Sequence, residues 1–147
     1  MTRRYSTGFT LIEVLLSLAL LAGIIGIGTP VYQNIQNRNA LALASVVTAE
    51  TARRAQVLAQ GSVGDQSWGV HLTSGVITLF QGAGYATRDT SFDEVFEIAP
   101  SITISGAQEY LFLKSTGRVQ TVGTTTLTSV EGVSKDIAIN ELGTITY

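Results

Sequence analysis

Residues 9–29, "FTLIEVLLSLALLAGIIGIGT", form an apolar run that holds a single charge, Glu13. A run of 21 residues measures about 31 Å as a helix at about 1.5 Å per residue, close to a bilayer core of about 30 Å. It is longer than the apolar core of a secretory signal peptide, so it reads as a membrane span. Arg3 and Arg4 precede it, and only Arg38 lies within the next 20 residues. The positive-inside bias then predicts a single pass with the N-terminus in the cytoplasm and the rest of the chain outside.

A charge at the centre of a span costs about 2.5–3.5 kcal/mol on insertion scales, and less toward an end. Glu13 stands one turn in, so its penalty is partial. Two readings follow. In one, the carboxylate reaches the headgroups or is protonated, and is merely tolerated. In the other, it meets a specific positive charge when the protein assembles, because a buried carboxylate becomes acceptable once a cation pairs with it.

The residues around Glu13 favour the second reading. Gly8-Phe9-Thr10-Leu11-Ile12-Glu13-Val14, behind a short basic leader and ahead of an apolar run, resembles the prepilin signature of type IV pilins and pseudopilins. Pro30 and Tyr32 also stand where pilins usually place a proline and a nearby tyrosine. The basic pair lies a few residues before Gly8 rather than beside it, a small departure from the commonest pattern. The resemblance implies that a membrane prepilin peptidase cuts between Gly8 and Phe9, that Phe9 is then N-methylated, and that Glu13 pairs with the N-terminal amine of a neighbouring subunit during filament assembly. It further implies an inner-membrane assembly platform and other pilin or pseudopilin subunits as partners, with membrane lipid around the helix before assembly. The expected location is the cytoplasmic (inner) membrane, followed by a periplasmic or extracellular filament. A twin-arginine export signal is the wrong model, since such signals carry no Glu inside the apolar run. A signal-peptidase site at Ala40-Leu41-Ala42 lies too far beyond the run.

Gly23, Gly26 and Gly28 weaken the helix by about 1 kcal/mol each relative to alanine, and Pro30 presses on the carbonyl of residue 26, where a kink is expected. This stretch is either a tolerated soft spot or, as the resemblance implies, a segment that loses helix when protein neighbours replace lipid. After Pro30 the helix is expected to resume, with Val31, Ile35, Ala42, Val46, Ala49 and Val57 marking its apolar face and the run ending near Gln60-Gly61. Continuous helix from 9 to about 60 would measure roughly 75 Å.

From Gly61 the period becomes two. Strands are predicted at 69–73, 76–81, 94–98, 102–105, 109–114, 118–122, 125–130, 136–140 and 144–147, with turns at Thr73-Ser74-Gly75 and Ser115-Thr116-Gly117. The expected fold class is α+β: a pilin-like ladle with a long N-terminal helix, membrane-spanning in its first half, and a C-terminal antiparallel β-sandwich. The expected divisions are a leader at 1–8, a membrane half-helix at 9–29, an amphipathic half-helix at 30–60 and a β-rich domain at 61–147. Trp68-Gly69-Val70-His71-Leu72, Thr78-Leu79-Phe80-Gln81-Gly82, "LFLKSTGRVQ" and "DIAINELGTI" resemble the H-type minor pseudopilins of the GspH and FimT kind.

Chemistry-bearing residues are sparse. The chain has no cysteine and one histidine, His71, which reads as a structural or surface residue of a strand. Neither a transition-metal site nor a nucleophile elbow can be assembled, so no enzyme, metal or cofactor is expected. Asp89, Asp93, Glu94 and Glu97 read as a solvated loop and strand edge, with a calcium site as the alternative. Residues 61–147 carry Arg88, Lys114, Arg118 and Lys135 against nine acids, a net of −5, which is no footprint for nucleic acid. The function expected is a minor pilin or pseudopilin of a type IV pilus or type II secretion pseudopilus. A major pilin is the alternative, followed by a DNA-binding tip pilin.

Overall fold

The computed structural model describes residues 8–147, and the side chains of residues 27–31 lie outside that description. Residues 1–7, most of the expected leader, lie outside it too, Arg3 and Arg4 included. The chain divides into two compact units, Met1–Ile35 and Gln36–Tyr147. Its architecture is α+β: one long N-terminal helix, α1 (Leu11–Gln60), followed by two antiparallel sheets.

In the second unit the strands are β1 (Trp68–Thr73), β2 (Val76–Gln81), β3 (Asp89–Glu97), β4 (Thr103–Gly106), β5 (Glu109–Phe112), β6 (Gly123–Thr128), β7 (Ser134–Ile139) and β8 (Ile145–Thr146). They form one four-stranded sheet of order β3-β2-β1-β5 and a second of order β4-β6-β7-β8. The β1–β2 hairpin forms as the sequence predicts. Thr73 pairs with Val76 across the two-residue turn Ser74-Gly75, and Gly75 takes φ +85°, a conformation open to a residue without Cβ.

One apolar core gathers side chains from both sheets and from α1. Val70 and Leu72 of β1, Ile77 of β2, Phe112 of β5, Leu127 of β6 and Ile137 of β7 are fully buried in it. The helix contributes Leu41, Ala44, Ala52, Ala55 and Ala59, while Ser45 and Thr48 on the same side are also buried. The two hydroxyls cost nothing unmet, because each donates to a carbonyl of the preceding helical turn, Ser45 to Ala42 and Thr48 to Ala44.

The expected apolar face of α1 is therefore corrected. Of the residues proposed for it, Ala49 is buried, while Ile35, Ala42, Val46 and Val57 are exposed and the Val31 side chain lies outside the described residues. Apolar residues occupy more than one stripe of this helix, and the stripe that packs is the one of small side chains. Alanine, serine and threonine let the helix backbone approach the strands, whereas a branched valine at the same depth would hold it off.

The end of α1 is tied down by several groups. Ser115 N–H donates to the Ala59 carbonyl, the Gln56 amide donates to the carbonyls of Gly117 and Leu142, and the Ser62 and Ser115 hydroxyls lie 3.1 Å apart. The residue that turns the chain out of the helix is Ser62, at φ +50°, rather than Gly61.

Two strands differ from expectation. Residues 118–122 form no strand and make a single bridge, Phe112 to Val119. Their amides are divided between two partners: Gln120 N–H bonds Leu111 of β5, while Val119 N–H bonds Glu141 beyond β7. Conversely β3 begins at Asp89 rather than at residue 94. Its register against β2 slips between Leu79 and Gln81, so residues 90–93 have no partner in β2. The polar composition of that excursion hides a strand from a period-two reading.

The helix-face correction can be checked directly. Ala52→Leu forces a large side chain into a site 1 % exposed and should destabilise the protein by about 1–3 kcal/mol. Ala42→Leu, on the exposed side, should fall within about 0.5 kcal/mol of wild type. Thermal unfolding of the full chain in detergent would compare them, and a larger loss from Ala42→Leu would restore the original face.

Candidate functional site

The head of α1 is built by a cap. Thr10 stands just before the first helical residue, and its carbonyl accepts from the N–H groups of Glu13 and Val14 at 3.1 and 3.2 Å. Its hydroxyl oxygen also accepts from Glu13 N–H, at 3.4 Å. Thr10-Leu11-Ile12-Glu13 has the spacing of a capping box, in which the fourth residue's carboxylate faces the open amides of the first turn. Glu13 lies in that first turn, where the positive end of the helix dipole favours an acid. This local role for Glu13 was readable from the Thr-x-x-Glu spacing and is missed when attention stays on the membrane cost of the charge.

Beyond the cap the helix shows one apolar surface after another to the outside. Phe9 is 83 % exposed and Leu11 82 %, and every described side chain from Gly8 through Gly26 is exposed. Among the described residues the Glu13 carboxylate has no ion-pair partner and is itself exposed. The backbone is helical through Gly23, Gly26, Gly28 and Pro30, although the side chains at the last two positions lie outside the described residues. Among the described residues no helix is long and apolar enough to cross a membrane, and the described part of the apolar run closes at Gly26.

The matching sequence signal decides what this segment is. Residues 3–28 match the family model described as the prokaryotic N-terminal methylation motif. The chain carries that methylation motif. Behind it the chain has a helix-then-sheets order. Among solved structures it is similar to the minor pseudopilin EpsH from the type 2 secretion system of Vibrio cholerae, at 14 % identity and TM-score 0.46, over 68 % of this chain and 92 % of that one. No curated protein matches the chain.

The remaining expected residues lie apart from this segment, in the second unit. His71 sits on β1, opposite Thr78 of β2 and Glu109 of β5. Its Nδ1 lies 3.9 Å from Glu109 Oε2, and burial, ahead of the attraction of Glu109, holds the imidazole below its ordinary pKa. The four acids of β3 do not converge. Asp93 accepts both of its contacts from Arg88 Nε, at 2.8 and 3.1 Å, and Glu94 pairs with Arg54 of α1 at 2.6 Å. Asp89 accepts from the Ser91 amide and hydroxyl, which holds its carboxyl below the usual carboxylate range. Among the described residues no group of three or more His, Asp or Glu side chains is placed to hold a metal ion. Charges spread in this way along β3, an edge strand of its sheet, discourage pairing with a foreign strand.

The cap generates a test. Thr10→Ala removes the side-chain acceptor at the head of α1 and should weaken the first turn by about 1 kcal/mol. Amide exchange of residues 11–14 in micelles should accelerate, with residues 41–59 unchanged. Unaltered exchange in the first turn would show that the backbone contacts alone hold it.

Proposed function

We propose that the chain is a structural subunit of a filament, a minor pilin or pseudopilin of a type IV pilus or type II secretion pseudopilus, and that it performs no catalysis. The observation that carries this reading is the methylation motif at residues 3–28, running into helix α1, with the described apolar side chains from Phe9 through Ile25 exposed. An exposed apolar surface of that extent needs lipid or other helices around it. On this reading residues 9–29 are held in the inner membrane, a prepilin peptidase cuts between Gly8 and Phe9, and the freed Phe9 amine is methylated. The subunit then leaves lipid for a bundle formed with other pilin or pseudopilin subunits, drawn through an inner-membrane assembly platform.

Glu13 then serves twice. Before assembly its carboxylate supports the head of α1; in the bundle it pairs with the cationic Phe9 terminus of a neighbour. A charge pair between chains fixes the axial offset of an incoming subunit, which apolar contacts alone leave free to slide. Residues Gly23, Gly26, Gly28 and Pro30 supply a stretch of low helix propensity that can yield during the transfer.

Processing is checked by the intact mass of the protein from cells containing prepilin peptidase. Loss of residues 1–8 with gain of one methyl group is expected, and a mature chain still beginning at Met1 would overturn the reading. The two roles of Glu13 are separated by two variants. Glu13→Gln keeps a capping-box side chain without the charge, and Glu13→Leu removes both. Both should insert and be cleaved, and both should fail to enter or initiate fibres. If Glu13→Gln assembles normally and Glu13→Leu does not, the cap rather than the ion pair is what assembly needs.

A further inference from the structure

The outer face of the β3-β2-β1-β5 sheet, opposite the core, carries a second apolar cluster that the filament reading does not use. Gly69 of β1 stands directly across from Phe80 of β2, and a Cβ at Gly69 would overlap the Phe80 ring. The glycine therefore lets the ring lie flat across β1. Phe80 is fully buried although it points away from the core, and Tyr85, in the segment between β2 and β3, meets it edge-on at 5.6 Å.

Segment 82–88 is held over this face chiefly by Tyr85. The Tyr85 ring stacks on the His71 imidazole with centroids 3.7 Å apart and an interplanar angle of 14°. The Arg88 guanidinium lies 3.7 Å from the same ring, which places it on the opposite face from His71. Arg88 is itself fixed by Asp93 and by the Tyr85 carbonyl, to which Nη1 donates at 2.8 Å. The Tyr85 backbone N–H donates to Glu109 Oε1 at 3.0 Å. The other oxygen of that carboxylate is the one nearest His71 Nδ1, which is buried and has no hydrogen-bond partner. The groups facing His71 are thus Glu109 from β5, Tyr85 and Arg88 from the segment, with Asp93 of β3 behind Arg88 and the uncharged Thr78 beside it on β2.

We propose that segment 82–88 is an acid-released flap: protonation of His71 loosens it and uncovers Phe80 on the outer face of the sheet. Two consequences of one proton act together. A charged imidazole faces the Arg88 guanidinium across the Tyr85 ring, and repulsion between the two cations offsets the attraction each has for the ring. The new Nδ1–H donor has Glu109 as its nearest acceptor, 3.9 Å away, and the carboxylate must move toward it to make a hydrogen bond. That movement draws Oε1 away from the Tyr85 amide. The sign agrees with the direction in which burial moves His71: the neutral imidazole belongs to the closed flap, so the stability it lends is present above the free histidine pKa of about 6.5 and is lost as pH falls through the lower folded value.

Hydrogen–deuterium exchange of the full chain in detergent micelles, corrected for intrinsic rates, would be compared between about pH 7.5 and about pH 5. Amides of 82–88 should lose protection several-fold at the acid end, while those of Val70 and Leu79 in the core strands stay as they were. His71→Phe keeps an aromatic ring under Tyr85 and should abolish the change. Glu109→Gln keeps an acceptor for the Tyr85 amide but removes the charge that helps His71 protonate, so its midpoint should move to lower pH. The chain has a single histidine, so its ring signals in an NMR titration report His71 alone. Wild-type 82–88 amides that ignore pH, that respond equally in His71→Phe, or that titrate at a midpoint different from the His71 ring would overturn the proposal. If His71→Phe does not fold, the match of ring and amide midpoints in the wild-type chain decides.

Discussion

Close approach between α1 and the strands is what the second unit depends on. The side of the helix from Leu41 to Ala59 is mostly alanine, serine and threonine, and these side chains reach little beyond the backbone. The core volume is therefore filled from the sheet side, by Val70, Leu72, Ile77, Phe112, Leu127 and Ile137, with the helix acting as a smooth wall. Such a wall is sensitive to addition more than to deletion. Removing a methyl from alanine leaves little void, whereas adding carbon atoms pushes the helix off both sheets together.

The first unit follows the opposite logic. Its described side chains are exposed, many of them large and apolar, and they fill no core among the described residues. What order the segment carries on its own comes from the helix backbone and from Thr10 and Glu13 at its head. An acid in the first turn meets the positive end of the helix dipole, so the head of α1 has a use for Glu13 within the chain itself. The cap is made within the chain: the Thr10 carbonyl and hydroxyl accept, and the Glu13 and Val14 amides donate.

Much of this was legible from residues alone, and what was not has physical causes. The Ser74-Gly75 turn and β2 can be read because hairpin turns demand particular residues at particular places. The end of α1 can be read because the apolar period changes there, although the left-handed residue proves to be Ser62. The packed face of α1 cannot be read from hydrophobicity, because valine outranks alanine on any such scale while close packing prefers alanine. Residues 118–122 look like a strand because Val119, Thr121 and Val122 are β-branched and a turn precedes them, yet their amides are shared between β5 and the turn after β7. At the N-terminus the glycine, aromatic and acid spacing is legible outright, while the cap formed by Thr10 shares its residues with that motif and is easily overlooked. The His71–Tyr85–Arg88 stack was beyond reach, since its members come from β1 and from a turn whose path no local pattern dictates.

The ties at the end of α1 have a mechanical consequence. The last turns of the helix are joined to the rest of their unit by Ser115 to Ala59, by Gln56 to Gly117 and Leu142, and by the paired Ser62 and Ser115 hydroxyls. These attachments reach two separate turns, one after β5 and one after β7, and they act beside the alanine face rather than in series with it. A tensile load carried along the helix backbone is thus divided among several anchors before it reaches the single peptide link at Gly61. Rupture would require them to fail together, which is how a joint resists pulling without any one bond in it being strong.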